Sequence, residues 1–518
     1  MKKSIIIIPN ENIMHTKLAI TLTLVLLALV LLTRATDLQA RQNHAAIPAR
    51  DKPNVLFIAI DDLRANLGVY GDPLAVTPHI DKLAETSVLF TRHYVQQPSC
   101  APSRTSMLTG LRPDEAGVIN HNIHFRDTRP DVVTLPQLFK INGYESVGIG
   151  KIAHWRPGFQ DSLSWHREHY NANPGREYQY ALPENQTGGK EAATEKADVD
   201  DDAHLEGIFT NLAVDALESF RDNQTPFFLA VGYFRPHLPF VAPSRYWDLY
   251  DREDFYPIAQ PDRPAHAPEI AFHNNNELRG YNDIPNEGPI PVEKAMELRH
   301  GYYAAISFVD AQIGRLLHKL EELGLRENTI IVFWSDHGFH LGEQSIWGKS
   351  TTYELDAHSP MMISVPDMTK PGVVTGAFVE SLDLYPTIVD LTGLEPQSPL
   401  SGRSLRPLLE DPETEWREYA FTQFPRPYGA AIAGGAPMTH MGYSVRVPEW
   451  RFTGWYNVET GKFDYTELYA LDPDPEQIVQ ESHIESENLS GRPEYEAIET
   501  RLLELVNNYR KQNYNQLN

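Results

Sequence analysis

Three short runs of almost wholly apolar sequence constrain this chain more than any other feature: residues 53–60 (PNVLFIAI), 226–231 (PFFLAV) and 329–334 (TIIVFW). Runs of this kind, rich in β-branched and aromatic residues and lacking a polar face, suit central strands covered on both sides. Each one delivers a polar cluster. Asp61-Asp62 follows the first, Arg235-Pro236-His237 lies just beyond the second, and Ser335-Asp336-His337-Gly338 follows the third. Between them lie helical patterns such as residues 304–323 (AAISFVDAQIGRLLHKLEEL), whose apolar positions recur every three and four residues until Gly324. Strands alternating with helices predict an α/β domain with a largely parallel sheet. Sheets of that kind bind ligands beyond the carboxyl ends of their strands, so the polar clusters are expected to share one rim.

At 518 residues the chain has room for about two to four domains. Its formal charge of −25 argues against a nucleic-acid partner, because phosphate binding needs a basic surface that releases counterions. At the amino end Lys17 precedes an apolar run over 18–32, and a polar stretch over 33–41 follows. That pattern reads as a signal peptide over 1–40, with Met14 as an alternative start, and predicts export to the periplasm or the medium. The membrane is a partner only if the segment stays uncleaved as an anchor. Exported proteins often carry disulfides, yet this chain has one cysteine, Cys100, which cannot form an intramolecular bridge.

Two long stretches, 171–204 and 251–291, are polar, rich in Pro and Gly, and lack sustained periodicity. They read either as substrate walls or lids, or as tolerated insertions. After Gly402-Arg403-Ser404-Leu405 the pattern changes: residues 443–452, 451–456 and 463–471 look like short antiparallel strands, and a final helix is expected near 495–509. The expected division is a catalytic domain over 51–405 and a smaller α+β subdomain over 406–518.

The chemistry concentrates at Cys100-Ala101-Pro102-Ser103-Arg104-Thr105-Ser106-Met107-Leu108-Thr109-Gly110. Pro102 and Ser103 favour the first turn of a helix, which puts position 100 at an end that attracts anions. This run resembles the signature of the type I sulfatase family, a Cys-x-Pro-Ser-Arg core followed by Leu-Thr-Gly. The resemblance extends from Pro53 to Glu467-Leu468-Tyr469-Ala470-Leu471 and the Asp472-Pro473-Asp474-Pro475-Glu476 after it. The runs Asp61-Asp62-Leu63-Arg64, Leu67-Gly68-Val69-Tyr70-Gly71 and Gln96-Gln97 are similar to the iduronate-2-sulfatase branch.

The resemblance implies an alkaline-phosphatase-like sandwich: a large, mostly parallel central sheet flanked by helices, and a C-terminal part with a short antiparallel sheet. It implies that a formylglycine-generating enzyme converts Cys100 to formylglycine, whose hydrate is the nucleophile. It implies one divalent cation, calcium with magnesium as the alternative, bound by Asp61, Asp62, Asp336, His337 and the side chain at position 100. Hard oxygen donors in that number agree with such an ion. Arg104 and Lys151 are implied to hold the modified side chain and the sulfate. His154, in Gly150-Lys151-Ile152-Ala153-His154, is implied to take the proton that lets sulfate leave. His237 and Lys349 match positions that bind sulfate and protonate or stabilise the departing oxygen.

The implied activity is hydrolysis of a sulfate ester on a carbohydrate, with a uronate 2-sulfate of a glycosaminoglycan or a sulfated algal oligosaccharide as the expected substrate class in polysaccharide degradation. The competing readings are a phosphodiester or phosphonate monoester hydrolase on the same fold, and a non-catalytic protein that binds sulfated glycans. Every catalytic position is filled, which disfavours the second.

Overall fold

The computed structural model describes residues 52–154, 160–170, 179–368, 370–432, 435–472 and 484–514. All of them belong to one compact unit. The proposed signal segment, residues 473–476 of the late motif and residues 171–178 lie outside the described residues. Among the described residues no helix is long and apolar enough to cross a membrane.

The three apolar runs become adjacent strands at the centre of a seven-stranded sheet. In chain order its strands are β1 (Asn54–Asp61), β2 (Val88–Tyr94), β3 (Glu145–Gly150), β4 (Phe227–Pro236), β5 (Thr329–Ser335), β6 (Met361–Ser364) and β7 (Val373–Glu380). In space they run β7-β2-β6-β5-β1-β4-β3. β1 pairs in parallel with β4 and β5, and only β6 runs antiparallel to its neighbours β2 and β5.

Both faces of β1 are buried, as its composition requires. Leu56, Ile58 and Ile60 pack into the cluster that includes Phe209 and Ala213 of helix α2 (Leu205–Asn223) and Tyr302 and Ile306 of α3 (Val292–Glu322). On the other face the Phe57 ring lies 6.0 Å from Trp334 and 6.5 Å from Phe228. The helix expected at 304–323 begins twelve residues earlier, at Val292. Its first turns hide Arg299, His300, Tyr302 and Tyr303, and polar or mixed side chains on an inward face do not register as an apolar stripe.

The carboxyl-terminal part is a four-stranded antiparallel sheet, β8 (Ala420–Arg426), β9 (His440–Val447), β10 (Trp450–Asn457) and β11 (Lys462–Ala470), packed against α4 (Glu496–Tyr514). Three of these strands follow the expected segments. β8 is an addition, a run (AFTQFPR) too mixed to show a two-residue alternation.

A buried ion cluster ties this sheet to the large one. Glu354 accepts from Arg446 at 3.2 Å, from Arg451, and from the Tyr94 hydroxyl at 2.7 Å. Arg451 also pairs with Glu485 at 2.9 Å. Burial, with Glu354 adding to it, outweighs Arg451 and lifts the Glu485 carboxyl from its ordinary range to about 7. Between pH 4.5 and 7 the folded chain therefore holds a proton that the unfolded chain has lost, so stability falls as pH rises through this window and is level above it. Replacing Glu485 with Gln should flatten that component. Thermal melts of the two proteins from pH 5 to 8.5 should converge at low pH, with the variant the more stable at pH 8.

Candidate active site

β1 and β5 end side by side and place their acids together. Ile60 lies opposite Ser335, and the Asp336 N–H donates to the Ile60 carbonyl at 3.3 Å. Asp62 adopts a left-handed backbone conformation (φ 59°), uncommon for a residue with a Cβ. Its N–H donates to Asp336 Oδ1 at 3.2 Å, and its carbonyl accepts from the Tyr302 hydroxyl at 2.7 Å. These bonds hold the strained turn in place.

Cys100 opens helix α1 of the site segment (Cys100–Thr109), with Ser99 extended before it and Gly110 left-handed after it. Its sulfur lies 3.5 Å from Asp61 Oδ1, 3.4 Å from His337 Nε2 and 3.5 Å from Lys151 Nζ. Burial pushes the thiol well above its usual range, and Asp61 adds to this, against partial relief from Lys151 and Lys349. As a cysteine, position 100 is therefore a protonated thiol.

One turn along, Arg104 is fully buried. Its guanidinium donates to Asp336 Oδ2 at 2.8 Å, to Asp61 Oδ1 at 3.1 Å and to the Lys151 carbonyl. Arg104 thus braces two carboxylates and a strand end as well as facing position 100.

Lys151 follows β3 and pairs with Asp61 Oδ2. Its path depends on two glycines. A Cβ at Gly150, where φ is +73°, would fall 2.0 Å from the Gly232 carbonyl oxygen, and a Cβ at Gly232 would fall 2.2 Å from that of Lys151. Lys349 bridges Asp62 (2.9 and 2.8 Å) and Glu277 (3.1 Å), and His237 Nε2 lies 3.2 Å from Glu277 Oε1.

The ion pairs settle the charges. Burial alone would raise the Asp61 carboxyl, but Lys151, His237, Arg104 and Lys349 together hold it well below the carboxylate range. Burial opposes the Lys349 ammonium, yet Asp62 and Glu277 outweigh it and keep the cation.

Asp61, Asp62, Cys100 and His337 place one donor atom each within 4.8 Å of one another. Two carboxylates, an imidazole and the side chain at 100, all buried, fit a hard or borderline divalent cation. Asp336 is brought to the rim of this group: its Oδ2 lies 3.6 Å from His337 Nε2, while both its oxygens already accept from Arg104 and from Asp62.

A cleft of about 290 Å³ opens over these residues, lined by Cys100, Lys151, His154, His237 and Lys349. All the catalytic positions expected from sequence except Arg104, which is sealed beneath, reach it. His154 stands there beside His121, ring centroids 4.5 Å apart, and His121 Nε2 is 2.7 Å from Ser99 Oγ. His121, Glu277 and Lys190 also line the cleft, and sequence reasoning missed them. Glu277 and Lys190 sit in the two aperiodic stretches, where no motif marks a position.

The sequence model of the Sulfatase family matches residues 53–394, and that of the N-sulphoglucosamine sulphohydrolase C-terminal family matches residues 342–512. Iduronate 2-sulfatase of Homo sapiens is 33% identical over 500 residues, covering 82% of this chain and 90% of its own. Two solved structures each superimpose at a TM-score of 0.69 with 23% identity. One is a phosphonate monoester hydrolase from Silicibacter pomeroyi, covering 89% of this chain and 96% of its own. The other is a protein in complex with its substrate D-glucosamine-2-N,6-O-disulfate, covering 90% and 99%.

The glycine contact yields a prediction. Gly232→Ala should cost about 2 kcal/mol, because the new methyl meets backbone, and should displace Lys151. A chemical melt should show the loss, and a crystal structure of the variant should show the Lys151–Asp61 pair broken.

Proposed function

The chain belongs to the sulfatase family and is a sulfuric ester hydrolase, and on that premise we propose that it desulfates an acidic carbohydrate after conversion of Cys100 to formylglycine, with calcium as its cation. The observation that carries this reading is one buried cleft holding both signs of charge around position 100. Asp61, Asp62 and His337 gather with position 100 so that one donor atom of each lies within 4.8 Å of the others, and Lys151 and Lys349 pair directly with Asp61 and Asp62. A structural cluster has no use for a lone cysteine in the middle of such a set.

Formylglycine would supply, as its hydrate, an oxygen nucleophile in place of a thiol that burial keeps protonated. Asp61, Asp62, His337 and the side chain at position 100, with Asp336 at the rim, would hold a divalent cation, which would supply Lewis acidity toward the sulfate group. The chain's own residues do the rest. Lys151 and Lys349, kept charged by their carboxylate partners, face the negative charge that grows on the sulfuryl oxygens. His237 and Lys349 stand where a departing sugar oxygen can take a proton or a hydrogen bond. His154, across the cleft, takes a proton from the side chain at position 100 when sulfate leaves. Arg104, beneath the cleft, faces the side chain at position 100 and fixes Asp61 and Asp336. The relatives that act on sulfated sugars support a carbohydrate substrate. The leader-like amino end supports export.

The test is expression with a formylglycine-generating enzyme, followed by mass measurement of the peptide containing position 100. Conversion should accompany sulfate release from a 2-sulfated uronate disaccharide. Cys100→Ala should lower kcat on the order of a thousandfold or more. Lys349→Ala should lower it about a hundredfold. A chelator should abolish turnover and added calcium restore it. Efficient conversion with hydrolysis of an aryl phosphonate but of no sulfate ester would assign the chemistry to phosphorus instead.

A further inference from the structure

The stretch 251–291 brings a further carboxylate, that of Glu277, to the wall of the cleft. Its Oε1 lies 3.2 Å from His237 Nε2 and its Oε2 lies 3.1 Å from Lys349 Nζ. One oxygen thus serves each of the two groups that face the departing oxygen. Asp61 and Asp62 stand farther from the same His237 nitrogen, at 4.0 and 3.9 Å. Both of those acids also belong to the group of donors gathered for a cation, and Glu277 does not. Burial alone would raise the Glu277 carboxyl, but Lys349, His237 and Lys190 outweigh it and hold it well below the carboxylate range.

The glutamate is itself held in place. Its carbonyl accepts from Lys190 Nζ at 2.7 Å. Two residues earlier Asn275, left-handed at φ 58°, accepts from the Trp347 N–H at 3.0 Å and donates to the Ser345 carbonyl at 3.2 Å. Ser345 and Trp347 lie in the segment that carries Lys349, so Glu277 and Lys349 ride on two pieces of chain fastened to each other. On its other edge the His237 ring is gripped by the Leu238 carbonyl, 2.7 Å from Nδ1.

A negative group on the wall of a cleft that receives a sulfate ester repels the substrate, so binding does not account for it. We infer that Glu277 is a positioning residue for departure of the leaving group, aiming His237 and Lys349 together at the oxygen that separates from sulfur. The inference rests on the sulfatase reading above and adds a residue to it. The aim matters when a sugar alkoxide leaves, because so basic an oxygen needs a proton or a strong hydrogen bond as its bond to sulfur breaks. A nitrophenolate departs without one. Misplacing such a donor by about 1 Å costs on the order of a hundredfold.

The experiment compares wild type, Glu277→Gln and Glu277→Asp, each converted at Cys100 and supplied with calcium, on a 2-sulfated uronate disaccharide and on 4-nitrophenyl sulfate. Glu277→Gln should lower kcat about a hundredfold on the sugar ester and only about fivefold on the aryl ester, without raising KM for the sugar. Glu277→Asp, which keeps the charge, should recover part of the loss on the sugar ester alone, and it carries the same contrast if thermal melts show the Gln variant to be unfolded. Equal losses on the two esters, or a loss confined to KM, would overturn the assignment. Crystal structures of wild type and Glu277→Gln supply a readout independent of turnover. The His237 and Lys349 side chains should be displaced in the variant, and finding both in place would overturn the assignment as well. A converted wild type that hydrolyses neither sulfate ester would refute the sulfatase reading, while the two structures still decide whether Glu277 positions the pair.

Discussion

The fully buried guanidinium of Arg104 is the interaction on which the site depends, because it joins four separate elements at one point. It binds Asp61 at the end of β1, Asp336 after β5 and the Lys151 carbonyl after β3, and it is itself carried by the helix that begins with Cys100. An unpaired buried charge is costly, so each of these elements is held in register by the others. The 5.8 Å approach of Arg104 to the Trp334 ring adds a contact from the strand beneath. Removal of the arginine would leave two carboxylates buried without it, a loss larger than that of one hydrogen bond.

The same logic extends outward in layers. Asp61 and Asp62 are each matched by a lysine, Lys151 and Lys349, and Lys349 is shared with Glu277. The two aperiodic stretches therefore enter the site through charge pairing and backbone bonds, anchored by Ala193, Leu278, Tyr281 and Ile284 in the apolar core. Beyond them, Glu354 joins the antiparallel sheet to the segment that follows Lys349, through Arg446 and Arg451. Tyr443 and Gln423 reach Asp114 on the far side of α1 of the site, at 2.9 and 2.7 Å. The smaller sheet thus acts as a buttress for the segments that carry Cys100 and Lys349.

Much of this was legible in the sequence. The three apolar runs mark the centre of the sheet because a strand covered on both faces cannot afford polar residues, and the polar clusters that end them are the site. β6 was hidden by its four-residue length, and the start of α3 by its buried Arg299, His300, Tyr302 and Tyr303. Glu277 and Lys190 were hidden because each is an ordinary polar residue in a stretch without periodicity, and no motif marks His121. A charged side chain in such a stretch carries no mark that separates a cleft wall from a solvated surface.

Local pattern alone determined the fold class, the strand ends that carry Asp61, Asp62, Asp336 and His337, and the place of Cys100 at the head of a helix. Those features follow from hydrophobic period and turn chemistry, which are written within a few residues of each position. Tertiary structure decided which cation serves which carboxylate, that Arg104 braces the floor of the cleft, and that residues 179–204 and 251–291 form its wall. Those choices are made between residues 43 to 287 positions apart, as in Arg104 with Asp61 and Lys349 with Asp62. Charge pairing over such separations has no sequence period, so only the folded chain shows it.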